Sequence, residues 1–257
     1  MTDRITRKVI IDTDPSADDA VALMLAMASP ELEILGMTAA FGVCDSARSI
    51  KNILKIQTLC GREEIPAVQG AEMPLVRRME FDDAYCGCDG LSQTGLPEPA
   101  KKEEPGEAWH FMAETVKRFP GQVSIISLAP MTNLALMIQN DPAAVFGSGI
   151  PITAAGLDVT RRLNNSMMDR LLARAGENEK TKFLRRAVQF NLDHGLEPYS
   201  LLVDSAAVCL ALCPEIAKTV SGHVIVETRG EYTTGQTLFG NSGRFKKQGS
   251  FVQAAWD

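Results

Sequence analysis

The fold of this 257-residue chain is decided at Val9-Ile10-Ile11-Asp12-Thr13-Asp14-Pro15-Ser16-Ala17-Asp18-Asp19-Ala20. A short β-branched run ends in acids and a proline. The apolar positions from Ala20 to Ala28 then continue well past strand length, so the stretch reads as strand, tight turn and helix. Strand alternation places Asp12 and Asp14 on one side of the strand end, and Asp18 and Asp19 fall in the first turn of the helix. Four carboxylates can therefore converge on one small volume.

Helix capping explains part of this. Ser16 with Asp19 three residues on imitates a capping box, and acids in a first turn complement the helix dipole. Asp12 and Asp14 stay unexplained, because carboxylates about 4 Å apart repel by ~1 to 4 kcal/mol between bulk water and a protein surface. A hard divalent cation such as calcium or magnesium, held by oxygen donors, offsets that repulsion directly. The cluster predicts a metal, and spacing alone leaves the reaction open.

Outward from this turn, Leu32 to Thr38 reads as a second strand and Ser46 to Cys60 as a helix with apolar residues at helical spacing. Residues 62–106 are rich in proline, glycine and charge, with a short strand at Ile65 to Val68; irregular stretches this long are often functional. Regularity resumes with a helix from Glu107 to Arg118, a strand at Val123 to Leu128, a helix opening at Thr132-Asn133 and a buried strand at Pro151 to Ala155. A helical stretch is predicted over Asn164 to His194, a further helix over Asp204 to Cys213, and a hairpin pairing Val224–Thr228 with Thr233–Leu238. No internal repeat interrupts the alternation. It predicts one α/β domain over residues 1–257: a single open, mainly parallel β-sheet with helices on both faces. Ligands of such sheets bind beyond the carboxyl ends of the strands, which is where the acidic turn lies.

Composition narrows the partners. Hydrophobic residues make up 45% and charged residues 23%, enough for a sizeable core and against disorder. A formal charge of -6 and a pI near 5.2 leave no basic surface for phosphate backbones, so nucleic acid is not expected. No apolar run reaches the ~20 residues of a bilayer span and MTDRITRKV lacks a signal-peptide core, which predicts a cytoplasmic protein without membrane contact. The six cysteines, at 44, 60, 86, 88, 209 and 213, are expected to be reduced. Cys86 and Cys88, like Cys209 and Cys213, lack CxxC spacing and a nearby histidine, which sets zinc aside. His110, His194, His223, Trp109 and Trp256 read as surface or packing residues.

At the acidic turn the sequence resembles the nucleoside hydrolase family, the inosine-uridine-preferring N-ribohydrolases. Their signature DxDPGxDD stands here as Asp12-Thr-Asp14-Pro-Ser16-Ala-Asp18-Asp19. The likeness continues through Gly36-Met-Thr38, Pro74-Leu-Val-Arg77, Ala129-Pro-Met-Thr132-Asn133-Leu-Ala, Gly149-Ile-Pro-Ile-Thr153, Gly156-Leu-Asp158-Val-Thr160 and Asp204-Ser205. It implies an open α/β sheet with calcium at its C-terminal edge. Asp14 and Asp19 would be carboxylate ligands, Leu128 would lend its backbone carbonyl, and Asp204 would close the site from a distant helix. Asp18 would hold a ribose hydroxyl, and Asp14 would deprotonate the water that attacks C1′ of a nucleoside, giving free base and ribose. A homo-oligomer, dimer or tetramer, is implied as well.

The sequence departs from that pattern at named positions. Ser16 replaces a glycine, Val43 an asparagine, and Cys86 and Val203 each a histidine. Between Asn133 and Asp141 the family's further strand, Met-Gly-Gly turn and Glu-Phe-Asn segment have no counterpart, nor does a helix after Phe251–Asp257. The metal ligands persist while polar contacts to the nucleoside thin out, so a metal-binding homologue with an interaction or regulatory role is an alternative. A haloacid-dehalogenase-like phosphatase is a further one, with Asp12 as nucleophile and Asp14 as acid, although Ser16 is off-pattern and a late acidic pair is missing.

Overall fold

A computed structural model describes residues 6–79, 81, 83–146, 153–156, 160, 162–248 and 250–255. Its centre is β1 (Arg7–Thr13), in a four-stranded parallel sheet with β2 (Leu32–Ala39), β3 (Ala67–Gln69) and β4 (Val123–Ser127), in the order β3-β2-β1-β4. Both faces of β1 are apolar, as a strand covered by helices on each side requires. Val9 and Ile11 pack with α1 (Ala17–Ala28) and α2 (Ser46–Cys60), whereas Ile10 packs with α4 (Ala108–Arg118), α5 (Thr132–Asn140) and α6 (Pro142–Phe146). The chain moves outward from β1 to β2 and β3, then returns across α4 to place β4 on β1's other side. The order therefore reverses between β1 and β4, and Asp12 lies opposite Thr38 on one neighbour and Ser127 on the other. In open α/β sheets this reversal opens the crevice that takes ligand.

Local chemistry sets the boundaries. Asp45 caps α2 by accepting from the Arg48 N–H at 2.8 Å, and Gly61 ends that helix in the left-handed region (φ 65°), which costs glycine nothing. The irregular stretch holds a four-residue turn of helix, α3 (Asp83–Cys86). Beyond β4, α7 (Asn165–Arg174) and α8 (Glu179–Asp193) are separate helices where the sequence predicts one helical stretch. Asn178 explains the break, since its side chain accepts from the Thr181 N–H and starts a new helix. A 3₁₀ turn (Pro198–Leu202) then leads into α9 (Ser205–Leu212), and Leu201 of the turn and Val208 of the helix join the core that α1 forms.

The mainly parallel sheet with helices on both faces is as the sequence predicts, but the strands are divided over two sheets, not one. The second has the order β5-β8-β6-β7, from β5 (Thr153–Ala154), β6 (Thr219–Val226), β7 (Thr237–Gly240) and β8 (Ser250–Ala255). The Pro151–Ala155 strand is described only at β5, which pairs with β8 and not with the central sheet. The predicted hairpin exists as antiparallel β6 and β7, its second strand starting at Thr237 where the sequence predicts Thr233. Trp256 and part of the Gly149–Asp158 resemblance lie outside the described residues. Among the described residues, no helix is long and apolar enough to cross a membrane.

Ile11 is fully buried between β1 and α1. Ile11→Ala is expected to lower stability by roughly 2 to 5 kcal/mol, seen as a lower urea midpoint at unchanged slope. Glu33→Ala, which removes a half-exposed ion pair with Lys8, should cost no more than about 1 kcal/mol.

Candidate active site

The end of β1 and the start of α1 build one half of the site. Ser16 has an extended backbone (φ -99°), so the serine stands where the family has glycine without strain. Its N–H donates to Asp19 Oδ2 at 3.1 Å, its hydroxyl to Asp18 Oδ1, and the Thr13 hydroxyl donates to Asp19 Oδ1. The capping geometry anticipated from sequence is therefore present, and it also fixes the direction of two carboxylates. Asp14 is 8% exposed, and Val43 donates its backbone N–H to Oδ2 at 2.8 Å. At Val43 a backbone donor thus contacts the acid where the family pattern has an asparagine side chain. Gly42 lies so close that any Cβ there would collide with the Asp14 carboxylate. No side chain but glycine's fits without displacing it.

Asp204 arrives from about 190 residues further on. It occupies the N-cap position of α9, yet its side chain makes no capping hydrogen bond. It is hydrogen-bonded instead to Asp19. Packing of α9 on α1 brings the two helix starts together, and the carboxylates of Asp18, Asp19 and Asp204 come within 4.8 Å of one another. Asp14 stands beside them, close enough to be repelled by Asp19 and Asp18 and to repel Asp204. Leu128 follows β4, and its N–H donates to the Asp12 carbonyl at 2.8 Å, placing it across the switch point from the acidic turn.

The electrostatics follow from burial and crowding. Loss of solvent raises all four acids; Asp19 and Asp18 raise Asp14 further, to about 9, Asp18 raises Asp19 to about 7, and the other three raise Asp204 to about 10. The main forces that lower these values are hydrogen bonds from backbone N–H groups and hydroxyls. Four crowded carboxyl groups with no sulfur or imidazole among them form a donor set for a hard cation, and the fit is good. Among the described residues, Asp18, Asp19 and Asp204 are the one group of three or more histidine, cysteine or acidic side chains placed to share an ion, and Asp14 adjoins it. The cysteines make no such group, and burial raises Cys44, Cys60 and Cys86 to about 11, which keeps them as thiols.

Sequence patterning did not reveal the layer beneath. Asp12 is fully buried and tied into a hydrogen-bond network with Thr38 and Asn133, a structural setting and not that of a phosphatase nucleophile. Its Oδ1 accepts from Thr38 Oγ1 at 2.7 Å and Asn133 Nδ2 at 2.8 Å, and burial raises its pKa to about 6 against those two bonds. Asn133 also donates to the Ala39 carbonyl at 3.0 Å and accepts from the Ala71 N–H at 2.8 Å. One amide thus ties the ends of β1 and β2 and the chain after β3. Its signal in the sequence is an amide in the first turn of the helix, directly before the apolar run over residues 134–138.

Beside Asp18 lies a cleft whose walls include Ser16, Tyr85, Cys86, Asn191 and Ser200. Cys86 is in place where the family has a histidine, and Val203 immediately precedes Asp204 without lining the cleft. Trp109 packs on the opposite face of the sheet, His110 is exposed and His194 stacks on Phe190.

Fold and site together define an α/β protein with a carboxylate centre at the switch point of a parallel sheet. The family model described as inosine-uridine preferring nucleoside hydrolase matches residues 9–145 and 142–256. These two stretches meet beside the segment where the resemblance implies a shortened interior. The pyrimidine-specific ribonucleoside hydrolase RihA of Salmonella enteritidis PT4 is 34% identical over 271 aligned positions, covering 90% of this chain and 87% of that one. Among solved structures, a plant nucleoside hydrolase, PpNRh1, superposes with a TM-score of 0.84 at 25% identity, covering 98% of this chain and 94% of the other. The purine-preferring ribonucleoside hydrolase from Gardnerella vaginalis superposes at 0.80 with 22% identity over 97% and 93% of the chains, a likeness of fold. The chain belongs to the inosine-uridine preferring nucleoside hydrolase family, whose members are N-glycosidases.

The raised acids set a pH dependence. Acids whose pKa is higher in the folded state support folding while protonated and withdraw that support as pH climbs through about 7 for Asp19, then about 9 for Asp14 and 10 for Asp204. The metal-free protein should therefore unfold at lower urea at pH 9 than at pH 6. Calcium should raise the midpoint more at pH 8 than at pH 5, because it binds the ionised carboxylates. Equal midpoints at pH 6 and pH 9 without metal would contradict the electrostatics described.

Proposed function

We propose that this protein hydrolyses the N-glycosidic bond of ribonucleosides in a calcium-dependent reaction, releasing free base and ribose. The observation that carries this is the meeting of Asp204 with the Asp14-to-Asp19 turn at the sheet's switch point. Asp14, Asp19, Asp204 and the Leu128 carbonyl would hold the ion, all oxygen donors. When bound, calcium supplies orientation of water and ribose hydroxyls and stabilises charge at the reacting centre.

The protein's own groups do the rest. Val43 and Gly42 fix Asp14 from one side, since the N–H holds Oδ2 and the missing side chain leaves room for it. Asp14 takes a proton from water as the water oxygen bonds to C1′ of an oxocarbenium-like sugar; the C1′–N bond breaks and its electron pair leaves with the base. Asp18, fixed by the Ser16 hydroxyl and facing the cleft, accepts a hydrogen bond from a ribose hydroxyl. The Asp12, Thr38 and Asn133 network keeps the end of β1 in register beneath them. The same proposal includes a homo-oligomer, dimer or tetramer, and a cytoplasmic location.

The pyrimidine specificity in the name of the 34% identical relative makes uridine the first substrate to try, with inosine alongside. With calcium, the protein should release uracil and reducing sugar. Asp14→Ala should lower kcat by roughly 10²- to 10⁴-fold, the range for losing a positioned general base, and chelation should lower it comparably. Calcium binding by calorimetry without base release above the Asp14→Ala level would instead identify a metal-binding homologue with another role.

A further inference from the structure

The N–H that holds Asp14 belongs to Val43, on the loop that follows β2, so the carboxylate is only as well placed as that loop. Residues 40–43 belong to neither strand nor helix, and their course is set bond by bond. At the start, the Ala39 carbonyl accepts from Asn133 Nδ2 at 3.0 Å. The Ala40 N–H then donates to the Thr13 carbonyl at 2.9 Å, the Phe41 N–H to the Ala71 carbonyl at 3.3 Å and the Gly42 N–H to the Cys44 carbonyl at 3.0 Å. Ala71 is itself held, because its N–H donates to Asn133 Oδ1 at 2.8 Å.

Asn133 therefore enters this chain of contacts twice, directly at Ala39 and through Ala71 at Phe41. Its remaining bond runs to Asp12 Oδ1 at 2.8 Å, two residues before Asp14. Two paths to the Asp14 carboxylate, one along β1 and one along the loop, thus start at one amide. That amide is fully buried in the first turn of α5, a helix anchored in the core with Ile10 through Met137, so its bonds form where water does not compete. Gly70 permits the approach, since a Cβ there would collide with both the Ala39 carbonyl and the Asn133 amide.

We propose that Asn133 is a positioning residue for Asp14, acting through the loop over residues 39–43 and not by touching the ion or the substrate. A misplacement of about 1 Å, even from a change far from the chemistry, costs rate by roughly 100-fold. The same carboxylate is a proposed ion ligand, so loosening it weakens calcium as well. The effect on rate rests on the hydrolase function proposed above; the effect on calcium is read without turnover.

Kinetics with uridine at saturating calcium, and calorimetry with calcium alone, test this. Asn133→Ala should lower kcat by roughly 10- to 100-fold with KM within about threefold, the mark of an interaction realised in the transition state. Its calcium Kd should rise by roughly 10- to 100-fold, as when the partner that orients a ligand is lost. Gly70→Ala, which wedges the clamp and removes no polar group, should move kcat and Kd in the same directions, and it carries the test if Asn133→Ala does not fold. Ile53→Ala, in the core on α2, matches the loss of stability by urea midpoint and should leave kcat and calcium Kd within about threefold of wild type. In an Asp14→Ala background, either clamp variant should lower kcat by less than about threefold more, because the group it positions is gone. Equal losses with and without Asp14, clamp variants with wild-type kcat and calcium Kd, or an Ile53→Ala protein impaired as deeply as they are, each overturn the inference. If wild type binds calcium and releases no base, the hydrolase function falls and the calcium measurements alone decide the positioning role. A wild type that does neither overturns both.

Discussion

Mutual repulsion among buried carboxylates is the constraint on which this structure turns. Three of them share a sphere of 4.8 Å and a fourth adjoins, at a cost of about 1 to 4 kcal/mol for each close pair. The starts of α1 and α9 both face the cluster and help, but a helix dipole contributes only about 0.3 to 1 kcal/mol per charge. Backbone and hydroxyl donors add hydrogen bonds without adding positive charge. Protonation covers the rest without an ion, as the values of about 9 for Asp14 and 10 for Asp204 reflect, and ionised, the same all-oxygen cluster is the donor set that a hard divalent cation selects.

The sheet supplies what the cluster cannot. A strand order that reverses between β1 and β4 opens a crevice there, and parallel pairing brings the ends of β1, β2 and β4 to one level. Asn133 then locks β1 and β2 and the chain after β3 at that level, and Gly70 lets it approach, since a Cβ there would collide with the Ala39 carbonyl and the Asn133 amide. Asp12 is the cost of this clamp: its Oδ1 carries two hydrogen bonds while its buried Oδ2 has none from protein groups. Such a half-satisfied carboxyl is easier to keep neutral, consistent with a pKa raised to about 6.

What could be read from the sequence divides along physical lines. β1, β2, β4, α1, α2 and α4 declare themselves because burial on both faces or one stripe leaves a periodic mark. The acidic turn is legible because its charges violate that economy. The split of the strands into two sheets was not, because pairing between β5 and β8 joins segments about a hundred residues apart and no local signal chooses between neighbours. The break between α7 and α8 was available in Ala175-Gly176-Glu177-Asn178, but the apolar spacing on either side masks it. Asp204 could be named only by resemblance, since nothing in Leu202-Val203-Asp204 says that it will meet residue 19. Arg48 left no signal at all: its contacts depend on a fold that brings Asp83 and Cys88 to it.

The departures from the family pattern also read differently once the geometry is known. A missing side chain matters only if no other group fills its place. At Val43 the contact to Asp14 comes from the backbone, which any residue in that conformation provides. At Ser16 the extended backbone means that glycine's freedom is not needed, and the hydroxyl gains a carboxylate to hold. Cys86 is different, for a buried thiol on the cleft wall is a weak donor and replaces little of what an imidazole offers. The polar loss therefore concentrates on the side of the cleft that Cys86 shares with Tyr85, while Asp14, Asp18 and Asp19 keep their backbone and hydroxyl donors. An aromatic ring and a thiol on that wall, where an imidazole would offer hydrogen bonds, leave packing as the main contact that side of the cleft can make.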